Sequence, residues 1–261
     1  MTSVVFSGGG SLAVTELGAF SALQQRYEIS AAVGTSAGAL VAATWAVGLS
    51  PEKSLVLFRQ AFAGGVLDPS LTALPRFGAH LGDRIHRLLK THLPGTMGSL
   101  RRDLKVVVCN LWNRQAEVVS PETHPDVLVA DAVRCSISIP GFFAAARLRP
   151  DNATLYVDGG LVDNFPLGLA LDAVGVQVIS RGDRDLKPVR VWDYAAYGRA
   201  IGSLLLQSAP VRLGSRVLTI ETDADPFDFT LTSEEVTRRY DEGYRAAKQW
   251  DAGWQPPLGS V

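Results

Sequence analysis

Ile29-Ser30-Ala31-Ala32-Val33-Gly34-Thr35-Ser36-Ala37-Gly38-Ala39-Leu40-Val41-Ala42-Ala43-Thr44-Trp45-Ala46 decides the fold class. Its first part, Ile29 to Gly34, is a short apolar run that reads as a strand, and Ala37 to Ala46 reads as a helix. Between them Gly34-Thr35-Ser36-Ala37-Gly38 has the G-x-S-x-G spacing of a nucleophile elbow. A serine on so sharp a turn needs a strained backbone, and its flanks, Gly34 and Gly38, must be small to permit it. The turn lifts the serine oxygen off the sheet, with a helix N-terminus behind it that favours developing negative charge.

The same alternation continues outward. Upstream, Val4-Val5-Phe6 reads as a strand and Leu12 to Gln25 as a helix, joined by Ser7-Gly8-Gly9-Gly10-Ser11. Consecutive glycines let the amides of Gly8, Gly9 and Gly10 converge on one point, an arrangement suited to an oxyanion or a phosphate. Gly8 to Ala13 also satisfies G-x-G-x-x-A, the dinucleotide fingerprint. That fingerprint requires an acid at the end of the second strand. Glu28 has the distance but precedes its strand, and the strand's end carries Ser36 instead. No Gly-Lys-Ser/Thr follows, which excludes a P-loop.

Downstream, Ser50-Pro51 starts a further helix with a cap and a first-turn proline. Leu104 to Cys109 reads as a buried strand with Glu117 to Val119 as an antiparallel partner, then Asp126 to Val133 as a helix. Thr154 to Val157, Val176 to Ser180 and Arg216 to Glu221 read as strands, and Tyr194 to Gln207 as a helix. Thr232-Ser233-Glu234-Glu235 opens a last helix to about Trp250 with capping-box spacing. Strands alternating with helices imply an α/β fold, a mostly parallel central sheet flanked by helices, in one domain over residues 1–261. Ala63 to Gly82 breaks the pattern with four glycines and two prolines, and is a candidate lid.

Serine needs a base. The four histidines are His80, His86, His92 and His124, and none follows position 124, so the hydrolase order Ser, Asp, His fails. The order Ser36, His124, Asp158 stays open, although Pro121 to Pro125 around His124 reads as a solvated loop. Asp158 ends a strand in Val157-Asp158-Gly159-Gly160, leaving direct proton transfer between Ser36 and Asp158 as the remaining candidate.

Composition narrows the function classes. The 261 residues carry 25 basic and 26 acidic side chains, net −1, with no block of like charge, so nothing points to nucleic acid. Cys109 and Cys135 stand apart from each other and from the histidines, so no metal site, cofactor or disulfide framework is expected. Met1 to Phe6 enters a glycine turn at once, and no apolar run reaches bilayer length, so neither a signal peptide nor a transmembrane segment is expected and a cytoplasmic location follows.

In order and flanks, Ser7-Gly8-Gly9-Gly10, Gly34 to Gly38 and Asp158-Gly159-Gly160 resemble the patatin-like phospholipase family. Leu17 to Leu23, Ala132 to Phe143, Asn164-Phe165-Pro166 and Phe227 to Tyr244 are similar to other family segments, so the likeness runs from about Ser3 to about Trp250. It implies the three-layer patatin architecture, a Ser36–Asp158 dyad, an oxyanion hole of Gly8, Gly9 and Gly10, and hydrolysis of lipid acyl esters through an acyl-enzyme. It further implies peripheral contact with membrane lipid, with Ala63 to Gly82 and Ala195 to Leu206 as candidates for gating or docking. Acyl transfer to another acceptor would use the same dyad. Leu12 and Ala13 depart from the family, which has a basic residue and glycine there; a weakly active relative that binds lipid or a partner is the reading this departure motivates.

Overall fold

The computed structural model describes residues 2–63, 65–76, 78–149, 153–181 and 216–250. Strand β1 (Thr2–Phe6) leads through a 3-10 turn at Gly10–Leu12 into α1 (Ala13–Leu23). Next come β2 (Ile29–Thr35), α2 (Ala37–Ala46) and α3 (Pro51–Phe62). A 3-10 turn at Leu71–Arg76 and β3 (Gly78–His80) precede α4 (Asp83–His92). A hairpin of β4 (Asp103–Asn110) and β5 (Gln115–Val119) is followed by α5 (Val129–Ser136), β6 (Gly141–Phe143) and β7 (Tyr156–Asp158). Strands β8 (Ala173–Ser180) and β9 (Arg216–Thr222) and helix α6 (Ser233–Gln249) complete the described chain.

The central sheet runs β5-β4-β2-β1-β8-β9, with β7 also on β4. Strands β4, β2, β1, β8 and β9 are mutually parallel, and β5 and β7 run antiparallel to β4. Side chains alternate across it as strand geometry demands. Val4, Phe6, Ala32, Val106, Val108, Val174 and Val176 face the main core beneath α1, α2 and α5, while Val5 and Val33 meet Phe165 on the opposite face. Two glycines let α6 lie backbone-close on α1: a Cβ on Gly18 would stand 1.9 Å from the Tyr240 carbonyl, and one on Gly243 1.8 Å from that of Thr15.

The α/β class and the mostly parallel sheet expected from the sequence are present. Boundaries moved where tertiary contacts intervene. The helix expected from Asp126 starts at Val129, because Leu128 is held extended in a bridge to Thr96. The irregular Ala63 to Gly82 stretch holds a 3-10 turn and β3, which pairs with β6. Helix α4, not anticipated, buries Ile85 and Leu89 four residues apart. The expected helix at Tyr194 to Gln207 lies outside the described residues. No helix among the described residues is long and apolar enough to cross a membrane.

Candidate active site

Ser36 sits between β2 and α2 at φ 52°, ψ −126°. Such backbone costs a non-glycine residue about 1–3 kcal/mol and persists only when its surroundings impose it. Here they do. The Ser36 amide donates to Ser136 Oγ (2.8 Å), whose hydroxyl donates to the Val107 carbonyl (2.7 Å), and the Ser36 carbonyl accepts from Ala39 N (3.0 Å). The elbow glycines are as tightly held as the sequence suggests: a Cβ on Gly34 would lie 2.4 Å from the Gly38 carbonyl, and one on Gly38 2.4 Å from that of Ser7.

Asp158 arrives by strand register. Strand β2 pairs with β4 over Asp103 to Val107, ending at Thr35↔Val107. Strand β5 takes the opposite edge of β4, from Val106 to Asn110. Strand β7 therefore takes up the β2 edge where β2 leaves it, from Val108↔Asp158 to Asn110↔Tyr156. Being antiparallel, β7 points its C-terminus back at that of β2. The residue after Thr35 and the last residue of β7 must then face each other, and Ser36 Oγ donates to Asp158 Oδ2 at 2.6 Å.

Both partners are 2% exposed. Burial drives the Asp158 carboxyl up from 3.8 to about 7, although hydrogen bonds from Ser36 Oγ and the Gly160 amide (2.8 Å to Oδ1) favour its charged form. Desolvation outweighs two donors because a buried anion loses its entire hydration shell. The result is a carboxylate poised near neutral pH, where a general base works best.

The glycine loop is braced by the same segment that carries Asp158. Gly8 N–H donates to the Asn164 carbonyl (2.9 Å) and Asn164 Nδ2 to the Gly8 carbonyl (3.3 Å). The Gly8 amide, expected to face an oxyanion, is thus committed to the brace. The amides of Gly9 and Gly10 meet no protein acceptor among the described residues. Gly10 needs to be glycine twice over: its φ is +55°, and a Cβ would stand 2.2 Å from the Pro226 carbonyl.

One residue escaped sequence reasoning. Arg239, 3% exposed on α6, donates from Nη1 to Ser11 Oγ (2.9 Å) and from Nε to Glu235 Oε1 (2.9 Å). Ser11 in turn donates from Oγ to the Asp225 carbonyl and from N to that of Pro226. Leu12, where the resemblance expects a basic residue, is a core side chain, 2% exposed, and Arg239 meets its neighbour Ser11. A signal existed in the sequence: Val236, Arg239, Gly243 and Ala247 form the buried stripe of α6 at helical spacing, with one charge in it.

The histidines have other partners. His124 lies between Thr123 and Glu117, 2.9 Å from each, rather than free in solvent. His86 pairs with Asp131 at 2.6 Å, His92 with Gln60 at 2.8 Å, and His80 packs on Phe142 and Phe143. Beside Ser36 a cavity of about 40 Å³ is lined by Gly10, Leu40, Phe62, Val66, Phe143 and Phe229 among others, almost wholly apolar. Glu28, the acid a dinucleotide would require, is exposed at the start of β2, at the far end of the sheet from the glycine loop.

The model of the patatin-like phospholipase family matches residues 4–171. A Bacillus subtilis protein, YqhO, is 32% identical over 189 residues, 63% of this chain and 65% of its own length. The protein named "Probable lipid hydrolase 463L" of Invertebrate iridescent virus 6 is 24% identical over 188 residues, 65% of this chain and 63% of its own. The chain therefore spans just under two thirds of these relatives. The crystal structure of VipD from Legionella pneumophila superimposes with a TM-score of 0.62 at 18% identity, covering 95% of this chain and 66% of that one, a likeness of fold. With three motifs converging and the family model matched over more than half its length, the chain belongs to the patatin-like phospholipase family.

Proposed function

We propose that the chain hydrolyses lipid acyl esters, as a lipase or phospholipase A-type enzyme, with Ser36 as nucleophile and Asp158 as its base. The observation that carries this is the buried 2.6 Å bond from Ser36 Oγ to Asp158 Oδ2 at the mouth of an apolar cavity. Asp158 takes the hydroxyl proton as Ser36 Oγ attacks the acyl carbonyl. The amides of Gly9 and Gly10 receive the negative charge that develops on the carbonyl oxygen. As the tetrahedral adduct collapses, Asp158 returns the proton to the leaving alcohol, and a water molecule activated the same way releases the acid.

The cavity walls suit an acyl chain and its size limits one. About 40 Å³ is room for a few water-sized groups and far short of a long acyl chain. A longer chain needs the wall to yield, and Val66, which lines it, lies in the Ala63 to Gly82 stretch, the candidate gate. Family membership and the name of the viral relative support a lipid substrate.

The test is labelling with a fluorophosphonate probe. Wild type should label at Ser36, Ser36→Ala should not, and Asp158→Asn should label far more slowly. Equal labelling of wild type and Asp158→Asn rejects the dyad. Loss of activity in His124→Ala, with folding intact, would favour a triad instead.

A further inference from the structure

The turn between β4 and β5 presents Trp112 to solvent at 85% exposure, with Leu111 at 40%. A floppy loop could do this by chance, but this turn is built. Asn110 Oδ1 accepts from Trp112 N (2.9 Å), the Asn110 carbonyl accepts from Arg114 N (2.8 Å), and Asn110 Nδ2 donates to Glu117 (2.7 Å). Asn113 Oδ1 accepts from Gln115 N (3.1 Å). The backbone is tied at three points and a side-chain bond adds a fourth, while the largest apolar side chain in the turn is left in water. Trp45, by contrast, is 6% exposed in the core.

Position gives the tip its meaning. The turn leaves the C-terminal end of β4, the end at which Ser36 and Asp158 meet. Val108 pairs with Asp158, and Trp112 lies four residues further on, at most about 13 Å along the strand direction. The exposed residues Leu111-Trp112-Asn113-Arg114-Gln115-Ala116 carry one charge, the cation of Arg114, and no acid. Tryptophan, leucine and arginine together are the composition of a membrane interface, where the indole sits at headgroup level and the cation meets lipid phosphate. A protein partner fits less well. Two apolar side chains on a projecting tip offer a few hundred Å², against about 800 Å² per partner in a standard interface.

We propose that the Leu111–Arg114 tip is a membrane anchor that enters the interface of an anionic lipid bilayer and brings the sheet end carrying Ser36 to its substrate. This rests on the lipid-ester reading above and names the surface through which that site meets lipid.

Trp112→Ala, Arg114→Gln and wild type should be compared in flotation with phosphatidylcholine vesicles containing phosphatidylglycerol. Trp112→Ala should lose about tenfold or more in vesicle affinity, and Arg114→Gln should lose the preference for the anionic lipid. Hydrolysis of a water-soluble short-chain ester and fluorophosphonate labelling should match wild type in both variants. Brominated lipid should quench wild-type fluorescence more than that of Trp112→Phe. Equal vesicle binding by wild type and Trp112→Ala overturns the anchor, as does absence of wild-type binding. Self-association of wild type that Trp112→Ala abolishes, with no vesicle binding, would assign the tip to a second copy of this chain. Vesicle binding without soluble-ester hydrolysis would instead remove the enzymatic reading and leave the anchor standing.

Discussion

Replacing Asp158 by asparagine should make the protein more stable at neutral pH while removing the proposed base. The carboxyl ionises at 3.8 in an unfolded chain and at about 7 in the fold. Because the folded value is the raised one, the neutral acid's contribution to stability is complete below pH 3.8 and is lost progressively as pH rises to about 7. At roughly 1.36 kcal/mol per pH unit across that gap, the full ionisation penalty is on the order of 4 kcal/mol. Water penetration and relaxation reduce it, and about 2 kcal/mol is a sober expectation. In a chain of this size that is roughly 4–8 °C in Tm. Asparagine has the same shape and no charge, so thermal unfolding of the two proteins should nearly coincide at pH 4 and diverge in favour of the variant by pH 8. Other titrating groups, including the buried Glu16, cancel in the comparison. A Tm difference that stays flat between pH 4 and 8, or moves against the variant, would refute the assignment of a desolvated carboxyl at this position.

The same carboxyl must be ionised to accept the serine proton, so kcat/KM on a soluble ester should rise through an apparent pKa near 7 and level off above it; a profile flat from pH 5 to 9 would contradict this. Gly10→Ala should destabilise by about 2 kcal/mol or more in denaturant unfolding, since its left-handed φ and the Pro226 carbonyl both oppose a side chain. Arg239→Met should lower kcat about tenfold or more with KM little changed, and Arg239→Lys should recover part of it, as a cation behind Ser11 requires. Equal kcat in wild type and Arg239→Met would reduce Arg239 to a packing residue.

How much of this was legible in the sequence depends on whether the information is local. The elbow was readable because a strand, a G-x-S-x-G turn and a helix lie within eighteen residues, Ile29 to Ala46. The first and last helices were readable from Gly-rich entry and from the Thr232 cap, whose side chain does accept from Glu235 N (3.1 Å). Asp158 could be named but not placed: what brings it to Ser36, 122 residues away in sequence, is the sharing of one β4 edge by two strands. The loss of the Gly8 amide to Asn164 and the arrival of Arg239 behind Ser11 are likewise contacts across the chain. Helix α4 was missed because its apolar stripe, Ile85, Leu88 and Leu89, is short and set among charges and histidines.

The end-to-end seating of β2 and β7 on a single strand has a consequence for how this protein can change. Peptide hydrogen bonding admits only whole-residue steps, so the gap between hydroxyl and carboxylate is set by a ruler with discrete marks rather than by loops. Chain added or deleted within the Leu111–Arg114 turn would leave that alignment untouched as long as Val108 still meets Asp158, whereas slipping β7 by one residue would turn the carboxylate to the wrong side of the sheet. Diversification should therefore concentrate in that turn, and a graft there is the place to alter what the protein recognises without retuning its chemistry.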